Sequence, residues 1–345
     1  MQKLIFIFLG VFVGSCVNQT YQPHQYTKVE VQDIYLDTTS IRAITLMQGN
    51  LGFAGSNNTF GIYNTQGNKT VSKQIAYDSL ELEFRAVAST STDFYMLSIE
   101  SPALLYKTGD HGQMEVVYKE KGEGVFYDAM EFWNDQEGIA VGDPTDGCLS
   151  IIITRDGGKS WNKLNCGVLP DQSKEEYAFA ASNTNIAVIG DHTWIATGGS
   201  KARVFYSPDK GMNWEVYNTP IVQGEPTQGI YSIAFYDEKT GFIIGGDYTK
   251  PEDNTANKAF TTDGGKTWQL IAQGKDPGYR SCVQYLPGSQ AKELVAVGFT
   301  GISFSNDSGE NWKQLSDEPF YTIKFTSDST AYAAGNGRIS KLTFK

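Results

Sequence analysis

Cysteine and histidine are scarce in this chain, and basic charge is outweighed by acidic. Four cysteines in 345 residues exclude a disulfide-built scaffold. The three histidines, His24, His111 and His192, show no metal-ligand spacing, so no metal is expected. No glycine-rich loop follows a strand and opens a helix, and no nucleophile elbow is present. A nicotinamide-dependent activity is therefore unsupported, and no cofactor is expected. The formal net charge of −11 argues against a nucleic-acid partner, which needs a basic footprint.

What is abundant is glycine and aromatic residues: 36 Gly, 19 Tyr, 19 Phe and 6 Trp, the composition of a turn-rich β protein. The chain opens MQKLIFIFLGVFVGSC, a short positive region at Lys3 and an apolar run from Leu4 to Val13. That run is too short to cross a bilayer comfortably, and reads as a signal peptide over residues 1–15. Gly14 and Ser15 leading into Cys16 resemble the lipobox of bacterial lipoproteins, whose cysteine is diacylated. That resemblance implies an exported chain held in the cell envelope, periplasm or outer membrane, by lipid on Cys16, with residues 16–26 as a tether. The alternative is an ordinary signal peptide with an incidental cysteine. Export brings an oxidising compartment. Cys148 and Cys166 lie nine residues either side of Gly157, the turn of an expected hairpin. They are placed to bond if the register holds; otherwise they are two core thiols. Cys282, at an apolar position, reads as packing.

Four segments repeat one pattern: TRDGGKSW (154–161), SPDKGMNW (207–214), TTDGGKTW (261–268) and SNDSGENW (305–312). Each position has a local reason. Asp156, Asp209, Asp263 and Asp307 can accept bonds from backbone N–H groups within the turn. The glycine supplies positive φ, and the tryptophan leaving the turn can pack between hairpins. These are the residues of the Asp box, or BNR repeat, and the four aspartates are expected to hold turns rather than perform chemistry.

Before each box lies an apolar strand, a turn and a strand ending in Gly, as in SIAFYDEKTGFIIGGD (232–247). Following this phrase outward gives seven units, beginning near residues 40, 83, 126, 184, 229, 279 and 320. The box decays to YNTQGNKT (63–70) in the first unit and to KTGDHGQM (107–114) in the second. The expected fold is all-β: a seven-bladed propeller of four-stranded blades spanning residues 27–345. The last unit stops one strand short, and TKVEVQDI (27–34) is unassigned. Pairing that segment beside the last unit's third strand would close the ring and leave no edge.

On these boxes and on phrases such as AVGDP (140–144) and IGGDY (244–248), the chain resembles bacterial Asp-box propellers related to photosystem II stability and assembly factors. The resemblance implies a binding or assembly role at the face opposite the box turns. Residues entering the innermost strands there are Arg42, Arg85, Asp128, Thr184, Tyr231, Arg280 and Tyr321. Three of the chain's six arginines fall in this ring, and closure would place Arg280, Tyr321, Arg42, Arg85 and Asp128 in one arc suited to carboxylate or phosphate. The alternative is salt bridging between blades. Loops on the same face carry Glu100, Asp143, Asp146, Asp247, Glu175 and Glu176; as pairs these could perform acid–base work on a glycosidic bond, or be solvated loop acids. The loop YTKPEDNTANK (248–258) can form a rim.

The leading expectation is a monomeric, non-enzymatic envelope scaffold that binds another envelope protein, an anionic ligand or a glycan. The alternative is a carbohydrate-active protein, lectin-like or a glycoside hydrolase of sialidase-like fold. Against the sialidase form, Arg42 is followed by Ala43 and Ile44 instead of the usual Arg-Ile-Pro opening, and seven units are counted where sialidases have six.

Overall fold

The structure, a computed structural model, describes residues 21–109 and 112–345. Cys16 and the apolar run before it lie outside the described residues, as do Asp110 and His111.

Short strands with alternating burial form seven antiparallel sheets arranged radially. The first blade comprises Ala43–Met47, Asn50–Ala54, Thr59–Asn64 and Lys69–Gln74, each strand paired with the next from axis to rim. The second comprises Phe84–Ser89, Phe94–Ser98, Ala103–Thr108 and Met114–Glu120. Blades three to six repeat the order, with innermost strands Tyr127–Phe132, Ile186–Ile189, Gln228–Phe235 and Cys282–Tyr285. Every innermost strand touches the next, and Thr322–Phe325 of blade seven touches Ala43–Met47 of blade one, so the ring is closed. Apolar clusters lie between blades rather than in one central core, as radial repetition requires.

Blade seven is completed from the other end of the chain. The strand Thr330–Phe344 doubles back near Asn336 and Gly337, because the Phe344 N–H donates to Ser329 O at 2.9 Å. A straight strand of that length would hold those residues tens of ångströms apart. Val29–Ser40 then pairs antiparallel with its outer half, from Val29 opposite Phe344 to Leu36 opposite Arg338. The expected closure is present, and the edge left by the missing fourth strand is covered. Ahead of it the segment from Tyr21 packs down. Tyr26 lies among Phe304, Leu342 and Phe344, and the Tyr21 hydroxyl and the His24 N–H both donate to the buried Glu293 carboxylate.

The four boxes fold alike. In the third blade, Thr154 Oγ1 accepts from the Gly158 N–H at 2.9 Å and donates to Asp156, which also accepts from the Ser160 N–H at 2.9 Å. The same bonds recur at Ser207 and Asp209, Thr261 and Asp263, and Ser305 and Asp307. Partial burial alone would raise these carboxyls, but the converging hydrogen bonds outweigh it and hold all four below the usual range. Cys148 and Cys166, flanking the blade-three box hairpin, are joined by a disulfide with Cα atoms 5.6 Å apart. Cys282 is a buried free thiol.

Candidate functional site at the channel mouth

Twenty-two residues, 164–185, separate the outer strand of blade three, Asn162–Lys163, from the first strand of blade four, Ile186–Ile189, and from Glu176 onward they leave the surface. Glu176–Tyr177 pairs with Gly198–Gly199, steering the chain over the axis. Phe179, Ala180 and Ala181 then cross the channel mouth. They are pinned from several sides. Asn183 donates to Val87 O and accepts from the Met130 N–H, while Ser182 donates to Ser281 O of blade six. Buried polar groups gain a defined partner this way, and the loop becomes a floor.

Above that floor is a cavity of about 600 Å³. Its walls are Tyr231, Tyr248, Tyr279, Phe299 and Tyr321, with Phe179 below and Arg42 and Arg85 to one side. Tyr231 stacks on Phe179 at 4.2 Å between ring centres and is held by its hydroxyl on Thr227 O. Tyr279 meets Tyr231 edge-on at 4.8 Å. Its backbone is fixed by a bond to Pro251 O, and buried Lys258 donates to Pro277 O just upstream. The loop 248–258 is thus tied into the wall instead of swinging free.

Arg42 carries the charge of this pocket. Its guanidinium lies 4.0 Å over the Tyr321 ring and reaches Ala181 O, but no carboxylate pairs with it among the described residues. Its Nε is buried without an acceptor. Burial, and then the neighbouring Arg85 charge, pull its pKa down. Arg85 is bonded to Glu83 at 2.7 Å. Two guanidiniums with one carboxylate leave the mouth short of negative charge, and no carboxylate is among the described lining residues.

The structure brings together Arg42, Arg85, Tyr231 and Tyr321 in the pocket, leaves Asp128 buried near Arg85 but outside the lining, and turns Arg280 and Asp247 away. Arg280 points outward within its own blade, donating to Tyr279 O, Thr300, Ser303 and Gln314. Asp247 folds back onto Thr249 and caps its loop. Asp128 is buried, both oxygens lacking a hydrogen-bond partner among the described residues; burial and the nearby Asp143 raise it well above the carboxylate range, against the pull of Arg85. Asp143, accepting from the Ala178 N–H, is raised by burial to about 7. Glu176 is fully buried against Arg203, with bonds of 2.5 and 3.0 Å.

Phe179, Tyr248, Tyr279 and Phe299 were not singled out by sequence reasoning. Tyr279 stands one residue before Arg280, so the strand-entry pattern marked the right place and the wrong side chain. The mouth-crossing loop had only its unusual length as a signal.

Seven four-stranded blades with four intact box turns define an Asp-box β-propeller with a closed N-terminal strand and an aromatic, arginine-bearing mouth. The BNR/Asp-box repeat family matches residues 259–270. Among solved structures, the fold is similar to that of YCF48 bound to D1 peptide, with TM-score 0.67, 14% identity, and 93% of this chain and 98% of that one covered. YCF48 from Cyanidioschyzon merolae gives 0.61 at 13% identity, over 91% and 98% of the two chains. The structure of U3-55K gives 0.63 at 13% identity, over 93% and 100%. At such identities the likeness is one of fold. No curated protein matches the sequence at a significant level.

Proposed function

We propose that this protein is a lipid-anchored envelope scaffold that binds a segment of a partner protein in its mouth pocket, through a carboxylate on Arg42 and apolar or aromatic groups among the rings. The observation behind this reading is the Arg42 guanidinium, held over Tyr321 in a walled cavity whose described lining includes no carboxylate. A planar guanidinium in a part-dry pocket is suited to a two-pronged carboxylate bond. A protein of the same fold, YCF48, is seen bound to a D1 peptide, which supports peptide binding by such a propeller. Among the described residues no carboxylate lines the pocket, which favours binding over glycosidic hydrolysis, a reaction that needs two.

The test is a panel of peptides with free or amidated C-termini and of neutral and sialylated glycans, titrated against the mature chain and Arg42→Ala and Tyr279→Ala. The scaffold reading expects a free-carboxylate peptide to bind and to lose about tenfold or more with Arg42→Ala. Glycan binding lost in Tyr279→Ala, with no peptide bound, would replace it with the lectin-like reading. Mass spectrometry of the mature N-terminus, beside Cys16→Ser, tests the anchor: an unmodified Cys16 would sink that part.

A further inference from the structure

The propeller contains a natural comparison of how blades are wedged together. In blades three to six, the box turn of one blade presses on the blade before it. A Cβ on Gly158 would meet the Tyr95 ring at 2.3 Å; on Gly211, Ile153 at 2.6 Å; on Gly265, Trp194 at 3.2 Å; on Gly309, Phe242 at 2.4 Å. The box tryptophan fills the remaining space: Trp161 packs with Tyr95 and Leu97 of blade two, Trp214 with Ile139 and Ile153 of blade three, and Trp268 with Trp194 of blade four.

Between blades one and two both halves of this wedge are missing. The decayed turn of blade two ends in Met114 with no tryptophan, and a Cβ on Gly112 would meet nothing within 4 Å. On the facing strand of blade one, the position held elsewhere by Tyr95, Ile139, Trp194 and Phe242 is Gly52 by strand register. The Phe94 ring of blade two takes the place above Gly52, 2.8 Å from where a Cβ would stand, so the unfilled part of the interface lies further out, between Met114 and the outer strands of blade one. What remains is an apolar groove of about 400 Å³, lined by Phe60, Ile62, Val71, Phe94 and Met114. It opens at the rim near the box turns, away from the mouth pocket. Val71 in its wall is 51% exposed, on the outermost strand of its blade. Lys69 and Lys73 edge it, and neither makes an ion pair among the described residues.

We propose that this groove is a docking site for a tryptophan side chain presented, with acidic neighbours, by a partner protein. The indole is the group the other blades place in the equivalent space. The two lysines on a chain of net charge −11 select acidic flanks. Burying one large ring in a preformed apolar slot is how interface anchors supply most of their energy. The site is separate from the mouth pocket and does not depend on what that pocket binds.

The probe is a capped, fluorescein-labelled peptide, Asp-Glu-Trp-Asp-Glu, titrated against the full mature chain. Saturable binding is expected, about tenfold weaker when the peptide's Trp is replaced by Ala. Met114→Trp, which supplies the missing wedge from within, should weaken binding about tenfold as well, and the double variant Lys69→Glu, Lys73→Glu should weaken it severalfold and flatten its salt dependence. Val71→Asp, on an exposed position, gives the same test should Met114→Trp fail to fold. No saturable binding to the parent protein, or binding unchanged in both Met114→Trp and Val71→Asp, would overturn the proposal. So would binding lost only in Arg42→Ala.

Discussion

Blades three to six and blades seven, one and two solve the same packing problem in different ways. The first group wedges each interface with its own box turn and tryptophan, all specified within one repeat. The second group has lost the boxes. It relies on chain-distant substitutes: the N-terminal strand on blade seven, a Tyr63–Tyr332 contact at 5.7 Å between blades seven and one, and Phe94 leaning over Gly52 between one and two. A repeat can lose its signature and keep its place in the ring, provided another part of the chain covers the surface it leaves. Where nothing covers it, a groove remains.

The largest effect that would test this contrast is removal of residues 21–40. Blade seven would lose its outer strand and expose the edge of Thr330–Phe344. The expected result is a chain that aggregates or melts without a cooperative transition, followed by scanning calorimetry; a normal melt would show that closure adds little. Next, Trp268→Ala should destabilise by about 3–5 kcal/mol, because a buried ring is replaced by a cavity. Met114→Ala, beside a space already open, should lose less than about 1 kcal/mol in the same chemical denaturation. Equal losses would erase the distinction between the two groups of blades. Reducing the Cys148–Cys166 bond, which closes a separation of 18 residues, should lower stability by about 3 kcal/mol, and a melt in reductant compared with Cys148→Ser, Cys166→Ser measures it.

One effect shows only as the pH rises, and it lies under the mouth loop that follows blade three. Asp143 is raised to about 7 by burial, above the ordinary carboxylate value. Its neutral form is favoured in the folded state, so its contribution is full below about pH 4 and is lost as pH rises through about 7. Asp143→Asn remains neutral throughout. It should match the parent protein at pH 4 and exceed it by about 4 kcal/mol at pH 8. A constant difference across that range would mean that Asp143 ionises freely in the folded protein.

The architecture was legible because each of its determinants is local. An aspartate, a glycine and a tryptophan at fixed spacing make a turn from their own backbone and side chains, so Asp156, Asp209, Asp263 and Asp307 announced blades three to six. The alternation of Val29, Val31 and neighbouring polar residues, set against a final unit one strand short, announced the closure. The mouth was less legible. Strand entry located Arg42, Arg85, Tyr231 and Tyr321, but could not distinguish Tyr279 from Arg280, since which of two adjacent residues faces the axis depends on how the strand begins.

The number of blades, the turns that join their strands and the strand that closes the ring are written in the amino-acid order alone, because they follow from residues near one another or from a pattern that repeats. Three features came only from the folded chain: the loop through Phe179 and Ala181 crosses the channel, Arg280 is spent inside its own blade while Arg42 is not, and Met114 and Val71 border an unfilled space beside Phe94. Each of those depends on groups far apart in the chain meeting in one place, and their mutual distance is set by closure of the whole ring.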